Sequence, residues 1–129
     1  MRKLGILSAV VAAVAALIVT AMPAVAGDGR EIIRTGNCSG RSDWKLKVKH
    51  DDGRIETEFE VDQNRNGERW QVVLKRDGHR FFRGIRVTES PSGSFEVERR
   101  TRNRPGPDRI TARARNLRTG ELCRAAATI

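Results

Sequence analysis

Two hydrophobic patterns divide the chain. Leu4 to Thr20 is an unbroken run of apolar or small residues behind Arg2 and Lys3, and Pro23 ends it before Ala24-Val25-Ala26. A cationic start, an apolar run and a small-residue site form the pattern of a secretory signal peptide. Residues 1–26 are therefore expected to be removed and residues 27–129 to form one domain. The run is shorter than the roughly 20 residues that a membrane span needs, and no cysteine follows Ala26 to take a lipid. Past residue 40 the period becomes two, which predicts strands separated by turns.

The first hairpin is legible residue by residue. Asp52-Gly53 is a type I′ turn signal, since both central positions need φ > 0. A two-residue loop there sets Trp44, Leu46 and Val48 opposite Val61, Phe59 and Thr57 on one face. Lys45, Lys47 and Lys49 then meet Glu60, Glu58 and Glu56 on the other. One register thus gives both an apolar row and three opposite-charge pairs. Asp77-Gly78 predicts a second hairpin with Leu74 facing Phe81, Val72 facing Arg83 and Trp70 facing Ile85. Ser94 to Arg100 is a further strand with Phe95 and Val97 inward. Arg109 to Ile129 forms a last hairpin around Leu117-Arg118-Thr119-Gly120, with Ile110, Ala112 and Ala114 opposite Ala127, Ala125 and Cys123. A helix through Ala125-Ala126-Ala127 is the rival reading. Pro105 and Pro107 mark a connecting loop.

A chain of 103 residues after processing is too short for a doubly wound nucleotide-binding fold or a barrel enzyme. It has only six aromatic residues and two cysteines, Cys38 and Cys123. Two cysteines in an exported domain most often pair, and a bridge between them would join the start of the domain to its last strand.

Seven or so short antiparallel strands with turns every 8–12 residues suggest a two-sheet sandwich. Phe59-Glu60-Val61-Asp62 leading to Trp70-Gln71-Val72-Val73-Leu74 resembles the B and C strands of immunoglobulin-like and fibronectin-III-like domains. Pro107 to Asn116, followed by Gly120, resembles their F strand and F–G turn. The mature chain as a whole resembles small secreted bacterial proteins of unknown function on that plan, which implies a single immunoglobulin-like antiparallel β-sandwich of about seven to eight strands. It departs from the family in having no tyrosine, hence no tyrosine corner, and in placing its cysteines outside the B and F strands. An eight-stranded barrel or another sandwich topology stays open, and such a fold carries no single function.

Candidate chemistry is sparse. Asp62-Gln63-Asn64-Arg65-Asn66-Gly67 matches the first half of a calcium loop, but Val73 stands where the bidentate Glu belongs and Arg65 adds a positive charge. Asx-turn chemistry accounts for the same residues. His50 and His79, both expected at hairpin tips, have no partner at metal-ligand spacing. Glu56, Glu58 and Glu60 are each assigned a lysine by the hairpin register, which leaves no catalytic carboxylate pair. Asn37-Cys38-Ser39 is formally a glycosylation sequon beside an expected disulfide. Neither a catalytic residue nor a cofactor is expected.

Charge is the remaining signal. Gly27 to Asn64 carries 7 basic and 9 acidic residues, whereas Arg65 to the end carries 16 and 7. Strand alternation puts Arg113, Arg115 and Arg124 on one outward face, with Arg99 and Arg100 expected beside it. A face of that kind attracts polyanions, although 19 Arg against 4 Lys in the mature chain is also what GC-rich coding produces. Neither stacking aromatics nor a recognition helix, the usual marks of sequence-reading nucleic-acid binders, is visible. The expectation is a secreted, non-enzymatic interaction module whose partner is an anionic envelope or extracellular polymer or another secreted protein. The alternatives are a protease inhibitor presenting Glu89–Ser94 or Thr101–Asp108, and a carrier with a small-ligand cleft.

Overall fold

The computed structural model describes residues 29–129, so the expected signal peptide and its cleavage site lie outside the described residues. Eight strands follow one another: β1 (Glu31–Asn37), β2 (Asp43–Asp51), β3 (Arg54–Asp62), β4 (Arg69–Arg76), β5 (His79–Val87), β6 (Ser94–Arg102), β7 (Arg109–Asn116) and β8 (Leu122–Thr128). They form two four-stranded antiparallel sheets, β1-β2-β3-β6 and β5-β4-β7-β8. Ala125–Ala127 is strand, not helix. Among the described residues no helix is long and apolar enough to cross a membrane.

Alternation decides which side chains meet between the sheets. Leu46, Val48, Phe59, Val61 and Val97 of the first sheet pack with Trp70, Val72, Leu74 and Ile110 of the second, all at most 1% exposed. Opposite Ile110 and its neighbours, β8 contributes Ala125 and Ala127, whose small size lets the sheets approach at that side. The first hairpin has the expected register at every position, including Leu46 against Phe59 and Lys47 against Glu58. Asp52 and Gly53 take φ 48° and 74°, and Asp77 and Gly78 take 48° and 82°, as type I′ turns require. Lys47 lies 2.7 Å from Glu58 and Lys49 3.5 Å from Glu56. Lys45 and Glu60 are opposite in register without an ion pair.

The second hairpin corrects the sequence reading. The expected pairing holds only next to the turn, at Lys75 with Arg80 and Arg76 with His79. A bulge between Leu74 and Lys75 then shifts the ladder by one, so Leu74 faces Phe82, Val72 faces Gly84 and Val73 faces Arg83. The cause lies in two successive aromatics: strict alternation would expose one of them, whereas the bulge lets Phe81 and Phe82 both pack against the core. Gly84 answers Phe82, whose ring would sit 2.9 Å from a Cβ there.

The domain is stapled along one side. Cys38, just after β1, is bridged to the buried Cys123 of β8 across 85 positions. Around the bridge, Ser39 donates to the Leu122 carbonyl at 2.8 Å, and the Ser42 hydroxyl and amide donate to Glu121 at 2.7 and 2.9 Å. On the opposite side, where β5 and β6 lie near one another, Phe82 is held between the guanidinium groups of Arg99 and Arg86, at 4.4 and 5.0 Å.

Candidate anion-binding face

The two outer faces of the molecule differ in electrostatic character: one mixes both signs, the other is basic. On the first sheet, Lys45, Lys47 and Lys49 of β2 stand beside Glu56, Glu58 and Glu60 of β3, and Glu96, Glu98 and Arg100 of β6 complete the face. The rungs Glu58–Glu98 and Glu60–Glu96 set like charges opposite one another, which is unfavourable. Oxygens of Glu56, Glu58 and Glu98 come within 4.8 Å of each other. Hydrogen bonding with Glu56, and then its charge, holds the Glu98 carboxyl above its ordinary range. Folded Glu98 therefore takes up a proton more readily than the unfolded chain does, and stability rises as pH falls through the raised value. Glu98→Gln should accordingly be more stable than the parent at neutral pH, with the difference gone by about pH 4, where carboxyls titrate in unfolded chains. Thermal midpoints across that pH range check it, and a variant less stable at neutral pH would contradict it.

The second sheet is built differently. Val73 of β4 pairs with Arg83 of β5 on one side and Arg113 of β7 on the other, and Arg113 faces Arg124 of β8. Arg83, Arg113 and Arg124 thus lie in one row across the four strands. The neighbouring rung sets Arg115 between Gln71 and Leu122. The outward positions of these strands are basic or uncharged, and among the described residues none of these arginines has a carboxylate within ion-pair distance. With its carboxamide turned so that the oxygen faces Arg83, Gln71 accepts from Arg83 Nε and its terminal nitrogen at 3.2 and 3.0 Å, which orients that guanidinium without neutralising it.

Arg113, Arg115 and Arg124 are therefore brought together as the alternation pattern requires. Arg99 and Arg100 are not. Both belong to β6 in the other sheet: Arg99 turns to the Phe82 ring, and Arg100 lies 3.4 Å from Asp51 and 3.6 Å from Glu56. In their place the structure supplies Arg83, which the pairing expected from the sequence turns toward the core and the bulge turns outward. A depression of about 820 Å³ opens over the Val73 row and extends toward the β4–β5 turn, past Lys75, Arg80 and Arg109.

The remaining features resolve into structural roles. In the Asp62–Gly67 loop, Asp62 Oδ1 accepts from the Asn64 amide at 3.0 Å, an Asx turn, and Gln63 Oε1 accepts from the Trp70 indole at 3.0 Å. Arg65 reaches Glu68 at 3.3 Å, and Arg118 donates to both Glu68 oxygens, 2.5–3.0 Å away. That hydrogen bonding holds the Glu68 carboxyl below the usual carboxylate range. His79 is exposed at the start of β5, and His50 is the penultimate residue of β2 with its Nε2 buried. Glu89–Ser94 is a compact turn closed by backbone bonds between its two ends, with Gly93 against the Arg65 backbone. Thr101 and Arg102 lie within β6, so the connection is 103–108, exposed only at 104–107 and anchored by Asn103 to Gly53 and by the buried Asp108 to Ile129. No known protein family, curated protein or solved structure matches the chain.

Proposed function

We propose that this protein is a secreted, non-enzymatic interaction module on an immunoglobulin-like plan, which binds an anionic polymer of the envelope or the extracellular medium. The observation that carries the reading is the Arg83–Val73–Arg113–Arg124 row with Arg115 beside it, a basic face without a single carboxylate among its outward strand positions. Arginines facing each other across a ladder repel. A bound polyanion relieves that repulsion and releases its own counterions. The disulfide is consistent with export into an oxidising compartment. If β2 to β8 are lettered A, B, C, C′, E, F and G, the sheets read A-B-E and C′-C-F-G with β1 added at the edge, which supports the family resemblance.

The test is binding to heparin and to an anionic wall polymer from about 50 to about 300 mM salt. The triple variant Arg113→Gln, Arg115→Gln, Arg124→Gln should bind at least tenfold more weakly at low salt, and its salt slope should fall by about three, one for each contact removed. An unchanged affinity and slope in a variant of unchanged stability would reject the face as the binding surface.

A further inference from the structure

The basic face is not uniform. Toward the β4–β5 turn its floor is made of short side chains: Val73 on β4, Thr111 on β7 and Ala126 on β8, the last two being register partners. Six cations stand around that floor, Lys75, Arg80, Arg83, Arg109, Arg113 and Arg124. They come from all four strands, so they enclose the depression instead of lining a straight track. Strands spaced about 4.8 Å apart and a two-residue repeat of about 7 Å make the basin roughly 14 Å by 7 Å. Its volume of about 820 Å³ is within the range of small-molecule sites. Arg115 lies on the same face but outside the basin.

Guanidinium groups bind phosphate through paired, charge-assisted hydrogen bonds, and the Thr111 hydroxyl offers a further donor on the floor. An evenly charged polymer would engage one or two of these cations at a time. A short chain of phosphates presents its charges close together and engages the ring at once. On the reading that this face binds polyanions, we infer that the basin is a specific site for an oligophosphate of three or more phosphates. Lys75, Arg80, Arg83, Arg109, Arg113 and Arg124 are its ligands. Lys75, Arg80 and Arg109 then have a binding role that the alternation of β7 and β8 does not reveal.

Inorganic tripolyphosphate is the probe, titrated calorimetrically into the disulfide-bonded domain at fixed ionic strength, with orthophosphate as comparison. One tripolyphosphate should bind per chain, at least tenfold more tightly than orthophosphate. Lys75→Gln, Arg80→Gln and Arg83→Gln should each weaken binding by about tenfold, the loss of one charge-assisted hydrogen bond. Arg34→Gln on β1, which removes the same charge from the other sheet, should stay within about twofold. If the three basin variants bind like Arg34→Gln while heparin affinity still depends on Arg113, Arg115 and Arg124, the basin is refuted and the polyanion face stands. If heparin binding ignores that triple substitution as well, both readings fall. Equal affinity for tripolyphosphate and orthophosphate refutes the basin alone.

Discussion

Replacing both bridge cysteines, Cys38→Ala with Cys123→Ala, is expected to lower the unfolding free energy by about 4–5 kcal/mol, the chain-entropy value for a closed loop of this length. The bridge spans 85 positions, so nearly the whole described domain lies inside the loop. Its effect is mainly on the unfolded chain, which gains conformational freedom when the bond is absent. For a domain of about 100 residues, whose stability is about 5–15 kcal/mol, that is a large fraction. The native hydrogen bonds around the bridge, Ser39 to Leu122 and Ser42 to Glu121, remain in the variant and keep the β1–β2 connection against the start of β8 at low denaturant. Guanidinium titration of the two proteins decides the matter. The midpoint should fall strongly and the slope should rise, because an unlinked unfolded chain exposes more surface. A loss below about 1 kcal/mol would mean that the unfolded state is already compact around these segments.

What the sequence disclosed depended on how local the governing contact was. The first hairpin could be read completely, because the Asp52-Gly53 turn, the apolar row and the Lys–Glu rows all select one register. The second could not, because the Phe81-Phe82 pair breaks the alternation and the bulge that accommodates both rings lies two rungs from the turn. That single slip had a functional consequence. It placed Arg83 on the inward face opposite Val72, whereas the structure turns it outward beside Val73 and Arg113. β1 was missed for another reason: it is an edge strand with only Ile32 and Gly36 partly buried, so it has no two-residue hydrophobic signal. The candidate face divides along the same line. Arg113 opposite Arg124 follows from one hairpin, but the addition of β4 and β5, and the assignment of Arg99 and Arg100 to the other sheet, depend on pairings between strands distant in sequence.

Phe59→Ala is the core substitution expected to cost most, about 3–5 kcal/mol. Phe59 lies midway along β3 with no exposed surface, between Leu46 of β2 and Val97 of β6, which are themselves buried. Truncation removes the transfer free energy of the ring and leaves a cavity. Closing that cavity would require the two sheets to approach, yet their spacing is fixed by Trp70, Leu74 and Ile110 on the facing sheet. The outward-facing Lys45 on β2 provides the comparison, because it has no ion pair among the described residues. Lys45→Ala should stay within about 0.5 kcal/mol of the parent. Urea titrations of both variants, with the bridge intact, measure the contrast between the two sides of one sheet. A loss below about 1.5 kcal/mol for Phe59→Ala would mean that the interior repacks far more freely than a close-packed β core does. The polyanion face depends on this core directly. Val73, Arg113 and Arg124 hold their row only while Val72, Ala114 and Cys123, their inward-facing neighbours on the same strands, stay packed beneath the sheet. A loosened interior should therefore weaken polyanion binding as well as stability, even though Phe59 itself is on the opposite sheet.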